Sequence, residues 1–185
     1  MARRQPNVGL WVFGYGSLIW RPGMQYVVAH RATAYDWARR FWQGSHDHRG
    51  TVDAPGRVLT LVQLSGALCE GRVFGISNEH VEQTLTDLDY REKNGYQRQT
   101  LSVHAEGLGE LDALTYIAPE NNTAWLGHAS NQAIAEQIYR SEGPSGSNKD
   151  YVLELHKALQ NDSIHDAHVI DIASSVYALD GSNSQ

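Results

Sequence analysis

Strand-like segments come first in this chain and helical ones last, with a single helical stretch set between the strands. That order excludes a regular β-α-β alternation and predicts an α+β (mixed α/β) fold. The apolar run Leu10–Phe13 opens the series, and Gln25–Trp42 follows with a Val-, Tyr-, Thr- and Trp-rich strand composition. Arg57–Leu64 and Ala67–Ile76 flank Ser65-Gly66, a spacing that predicts a hairpin. Asn78 is placed to cap a helix, with Glu79 in its first turn and Val81, Leu85 and Leu88 on one face. The helix should fade near Tyr90, ahead of the turn signal Asn94-Gly95. Tyr96–Val103 and Leu111–Ala118 read as two more strands. Helices are expected over Ser130–Ser141, from Ser147 or Asn148 to Leu159, and over His165–Leu179. The tail Ser182–Gln185 is expected to fray.

Composition narrows the partners. The net charge of -6 counts against nucleic acid, which selects for excess Lys and Arg. Cys69 is the one cysteine, so no intrachain disulfide can form and a reducing compartment is expected. The basic start, Met1 to Asn7, precedes an apolar run that Gly9 interrupts and Gly14 stops. It is too short for a convincing signal peptide, and no stretch approaches a membrane span. The expectation is a soluble, cytoplasmic protein with no membrane partner and no nucleic acid partner. No oligomeric state follows from the residues.

The strand at Leu10–Phe13 breaks into Gly14-Tyr15-Gly16-Ser17-Leu18. Two glycines allow positive φ and close approach of a ligand, and such a bend can aim several N–H groups at one oxygen. It can equally be an ordinary strand-to-turn junction. Ile19 stands where G-x-G-x-x-G requires glycine, and no Gly-Lys-Ser/Thr follows, so a dinucleotide or P-loop site is not expected. His46-Asp47-His48 and His165-x-x-His168 lack the H-E-x-x-H pattern and a cysteine partner set, so no metal is expected. Cys69 reads as a small core residue. Arg39-Arg40-Phe41-Trp42 can clamp a carboxylate or solvate a strand edge. The most informative stretch is Leu88–Tyr96. It sets Glu92 near a helix C-terminus, where the dipole disfavours a negative charge. Burial against Tyr90 and Tyr96 would raise its pKa further, while Arg91 and Lys93 would oppose the rise. A carboxyl poised this way can take a proton and return it. A charged helix end facing water has the same composition.

Taken together, these motifs resemble the ChaC family of glutathione-specific γ-glutamylcyclotransferases. The matching segments run in order from about residue 10 to 160: Val12-Phe13-Gly14-Tyr15-Gly16-Ser17-Leu18-Ile19-Trp20, Arg39-Arg40-Phe41-Trp42-Gln43-Gly44-Ser45, Pro55-Gly56-Arg57-Val58, Arg91-Glu92-Lys93 with Gly95-Tyr96, Trp125-Leu126-Gly127, and Gly143-Pro144-Ser145-Gly146 with Asn148 and Tyr151. The resemblance implies a small mixed β-barrel with flanking helices; residues 8–162 are read as this domain, and 163–185, where the resemblance does not reach, as a helical extension and tail. It implies cleavage of glutathione to 5-oxoproline and cysteinylglycine without metal or cofactor. It carries the catalytic role onto Glu92 and substrate binding onto Val12, Phe13, Gly14, Tyr15, Gly16, Ser17 and Leu18, with Tyr151 also at the site. Arg39 or Arg40 is a candidate reader of the substrate's far carboxylate. The alternatives are the same reaction on other γ-glutamyl peptides or amines, and a non-catalytic γ-glutamyl-binding regulator.

Overall fold

A computed structural model describes residues 7–182. Residues 1–6 of the basic start and 183–185 of the tail expected to fray lie outside the described residues. The described residues divide into two compact units, one formed by 7–37 and 64–117 and the other by 38–63 and 118–182.

The strands are β1 (Val8–Gly14), β2 (Val28–Ser45), β3 (Gly56–Ser77), β4 (Gln97–Ala105) and β5 (Gly109–Ile117). They close a barrel in the order β1-β3-β2-β4-β5. The barrel is mixed. β1 runs antiparallel to β3, from Val8 opposite Ser77 to Gly14 opposite Arg72, and parallel to β5 with Val12 opposite Leu114. β4 and β5 form a regular hairpin from Gln97/Ile117 to Ala105/Gly109, turned by Gly107 and Gly109, both at positive φ.

In the first unit, helix α1 (Val81–Arg91) interrupts the strands, as the sequence predicted. Its Leu88 joins Val12, Leu18, Phe74, Ile76 and Tyr116 in one buried cluster. The first strand, the bend after it, and the helix are therefore seated on the same apolar core. Fully burying each large aliphatic side chain of such a cluster contributes roughly 1.5–3 kcal/mol.

In the second unit, α2 (Asn131–Arg140), α3 (Asn148–Asn161) and α4 (Ala167–Ser182) pack together. Ile134 and Ile138 of α2, Val152 and Leu155 of α3, and Val169, Ile172 and Val176 of α4 are fully buried. Ser130 and Ser147 cap α2 and α3, accepting from the N–H of Ala133 and Asp150, because each hydroxyl satisfies a donor with no partner in the first turn. Gly143 and Gly146 pair as a tight turn between the two-residue strands β6 (Glu142–Gly143) and β7 (Gly146–Ser147), where a break was expected.

Three local expectations need correction. Ser65-Gly66 does not reverse the chain; β3 continues unbroken through it. Gly66 takes φ +78 and donates its N–H to Asp36 Oδ1 at 2.7 Å, with Asp36 itself at φ +62. A left-handed glycine is thus absorbed within a strand rather than turning it, as in a bulge. Asn78 is not a helix cap but the first residue of a 3-10 turn, Asn78–His80, that leads into α1. Gly14 and Gly16 do not use positive φ; Gly16 sits at φ -131. Gly14 is needed for space instead, since a Cβ there would lie 2.8 Å from the Leu18 Cβ.

Candidate active site

The bend after β1 is held by its neighbours. Ile19 N–H donates to Gly16 C=O at 2.9 Å and Arg21 N–H to Ser17 C=O at 2.8 Å, closing a 3-10 turn over Ser17–Ile19. The Tyr15 hydroxyl donates to the Tyr116 carbonyl at 2.7 Å, and the Thr115 hydroxyl to the Phe13 carbonyl at 2.9 Å. Both bonds tie the bend to β5. Val12 and Phe13 are fully buried, and Tyr15 and Leu18 nearly so. These two aromatic and two aliphatic side chains shape the bend from beneath. Of the five residues from Gly14 to Leu18, only Ser17 is partly exposed.

Glu92 closes α1. Its N–H donates to Leu88 C=O at 2.9 Å, and its φ of -98 and ψ of 16 end the helix. The chain then turns through Gly95 at φ +91, a conformation that only glycine adopts without strain. The Glu92 side chain is 19% exposed. Burial raises its pKa above the usual 4.5, and the Arg91 guanidinium pulls in the opposite direction. The expected burial against Tyr90 is not found: Tyr90 is 73% exposed, with the Lys93 ammonium 4.2 Å from its ring centroid. A cation resting on an exposed ring is drawn to its negative face.

Arg91 connects the two halves of this site. Its Nε lies 3.3 Å from Glu92 Oε1. Its terminal nitrogens donate to Ser17 Oγ at 2.7 Å, and to the carbonyls of Arg21 at 2.8 Å and Pro22 at 3.2 Å. One guanidinium thus spans from the carboxyl to the hydroxyl of the bend. The sequence offered Arg91 only as a charge beside Glu92, since nothing in residue order shows that positions 17 and 91 meet. Asp89 is a second residue the sequence did not single out. It accepts from the Tyr116 hydroxyl at 2.7 Å and is ion-paired with Arg98. These partners hold its carboxyl below the ordinary range, so it stays ionised and is unsuited to proton transfer near neutrality.

The remaining predicted residues belong to the second unit. Arg39 is fully buried, with a terminal nitrogen 3.4 Å from Asp166 Oδ2. Arg40 donates to the Arg39 carbonyl at 2.8 Å and lines a cavity of about 300 Å³ with Trp42, His128, Asn131, His168 and Asp171. Tyr151 is 9% exposed, edge-on to Phe41 and with the Arg49 guanidinium 5.7 Å from its ring centroid. Arg57 of the Pro55–Val58 motif is buried. It donates to Gln137 and to the carbonyls of Phe41 and Gly127, while Asn148 bonds both its N–H and its C=O.

The fold is a closed mixed barrel with a helix inserted between its strands, and the sequence places it in a family. The chain belongs to the ChaC-like protein family, which it matches over residues 10–179. It is 37% identical over 177 residues to gamma-glutamylcyclotransferase 2-3 of Arabidopsis thaliana, covering 91% of this chain and 89% of that one. It is 36% identical over 173 residues to glutathione-specific gamma-glutamylcyclotransferase 1 of Homo sapiens, covering 90% and 78% respectively. Its backbone superposes on the crystal structure of a gamma-glutamyl cyclotransferase specific to glutathione from yeast with a TM-score of 0.87. That match is 31% identical and covers 93% of this chain and 97% of the yeast chain.

Proposed function

We propose that this protein is a glutathione-specific γ-glutamylcyclotransferase, which cleaves glutathione to 5-oxoproline and cysteinylglycine. The reaction is of the lyase type. The substrate's α-amine attacks its own γ-carbonyl, a five-membered ring closes, and the amide C–N bond breaks. No water or protein nucleophile enters. Intramolecular attack of this kind is worth effective molarities on the order of 10⁵ M once the arm is folded back. Three tasks remain for the protein: curling the arm, moving one proton, and stabilising the oxyanion.

In this reading Glu92 takes the proton from the amine and returns it to the departing amide nitrogen. Residues Val12–Leu18 form the cradle for the γ-glutamyl end, with N–H groups of Tyr15-Gly16-Ser17 facing the α-carboxylate or the oxyanion. Loss of one oxyanion donor costs about 3 kcal/mol of barrier. The observation that carries the assignment is the carboxyl raised by burial at the end of α1, joined through Arg91 to Ser17 of the bend. Of the two arginines offered as readers of a carboxylate, Arg40 lines a cavity within the second unit. Arg39 is buried and paired with Asp166. The single, buried Cys69 suits action in the reducing cytoplasm.

The test is incubation of purified protein with reduced glutathione, reading cysteinylglycine and 5-oxoproline by mass spectrometry. Both products should form, and a folded Glu92→Gln variant should lose at least about a hundredfold in rate, the usual size of a general-base contribution. A variant that retains the wild-type rate removes Glu92 from the mechanism.

A further inference from the structure

The geometry points to Arg91 as the positioning residue that locks the substrate bend to the catalytic carboxyl. This rests on the role proposed for Glu92. Arg91 acts through its neighbours: it holds the Ser17 hydroxyl at 2.7 Å, the carbonyls of Arg21 and Pro22 at 2.8 and 3.2 Å, and the Glu92 carboxylate at 3.3 Å. The planar fork of a guanidinium is what permits this. Its nitrogens diverge at fixed angles, so one side chain can serve four oxygens on two elements at once, which a lysine ammonium on a flexible stem does not reproduce. The approach is close on the bend side too. Gly23 lies at φ +63, and a Cβ there would fall 3.3 Å from the Arg91 terminal nitrogen, so the glycine both makes the turn and leaves room for the fork.

Two consequences separate this role from simple packing. The first is electrostatic. Burial drives Glu92 toward its neutral form and the Arg91 charge opposes it, so Arg91 keeps the carboxylate available as a base. The second is geometric. Without the fork, Ser17 and the Arg21-Pro22 turn lose their common anchor, and a displacement of about 1 Å at a reacting group can cost on the order of a hundredfold in rate.

The experiment compares wild type, Arg91→Met and Arg91→Lys. The Glu92 carboxyl is titrated by ¹³C NMR, and the pH profile of kcat/KM is measured on glutathione. Arg91→Met should move the Glu92 titration, and with it the acid limb of the profile, to higher pH, and should lower kcat/KM roughly a hundredfold. Arg91→Lys, which keeps the charge and is the milder change to the fold, should leave the titration near that of wild type yet fail to restore kcat/KM. An unmoved Glu92 titration in Arg91→Met overturns the electrostatic role. Full recovery of kcat/KM by Arg91→Lys overturns the fork. The carboxyl titration needs no turnover, so it stands even where wild type produces no 5-oxoproline, an outcome that rejects the proposed function separately.

Discussion

Glu92 is a group whose usefulness and whose stability oppose each other. Its pKa is raised in the folded protein, chiefly by burial, so folding favours the protonated form. Its contribution to stability is therefore complete below the unfolded pKa of about 4.5 and is lost as pH rises through the folded value. Above the unfolded value of about 4.5 the buried carboxyl is therefore a destabilising element, retained for chemistry. The Glu92→Gln variant should accordingly melt at a higher temperature than wild type at pH 7, and the difference should vanish toward pH 4, as thermal denaturation across that range will show. Activity should fall in wild type as pH drops through the raised pKa, because the base is then protonated. Nearby Asp89 behaves in the opposite sense. Hydrogen bonds from Arg98 and Tyr116 hold it ionised, so adjacent carboxylates on one helix are set to different states by different neighbours.

At the level of elements, α1 is the device that delivers the acid. It does so through Leu88, 2% exposed and packed in the cluster that also holds Leu18 of the bend. Leu88→Ala should cost about 2–5 kcal/mol of stability, read from denaturant unfolding. It should also lower kcat/KM on glutathione at temperatures where the protein remains folded, because the helix end loses its seat. Helix α4 carries a different dependence. His168 accepts a hydrogen bond from the Phe41 N–H at 3.3 Å, and its pKa is lowered to about 4 by burial first and by the Arg40 charge next, with Asp166 and Asp171 opposing and His128 reinforcing the shift. A base with a lowered folded pKa stabilises above its unfolded value, here 6.5, and that stability is lost as pH falls toward about 4. Such a shift corresponds to roughly 3 kcal/mol at most. Melting temperature should fall between pH 6.5 and 4 in wild type, and His168→Gln, which cannot gain the proton, should show a flatter profile over that range.

At the scale of the whole molecule, each of the two units has its own buried side chains, and the proposed chemistry resides in the first. The ring-closing step needs only the γ-glutamyl arm, so any preference for glutathione must come from residues that read the remainder of the peptide. Turnover of γ-glutamylalanine, followed by 5-oxoproline release, should be slower than that of glutathione. Equal turnover would transfer the function to the broader cyclotransferase reading. Among the described residues no helix is long and apolar enough to cross a membrane.

Several elements were legible because their signal is local. The spacing of Val81, Leu85 and Leu88 points to α1, helices are expected from Ser130 and from Ser147 or Asn148, of which Ser147 is the cap, and the composition before Gly14 points to a buried strand. The place of Glu92 at a helix end is local in the same way, while its catalytic role is carried by the family resemblance. Ser65-Gly66 carries a turn signal in a strand that does not turn, and the Asp36 carboxyl that accepts the Gly66 N–H is 30 positions away. Arg91 was seen as a charge but not as a link, because its partners at 17, 21 and 22 are about seventy positions away. The sequence by itself determined periodicity and the kinds of chemistry available. Only the tertiary structure decided which of those groups share a solvent-poor environment, because burial and hydrogen-bond geometry depend on long-range packing, which residue order does not display.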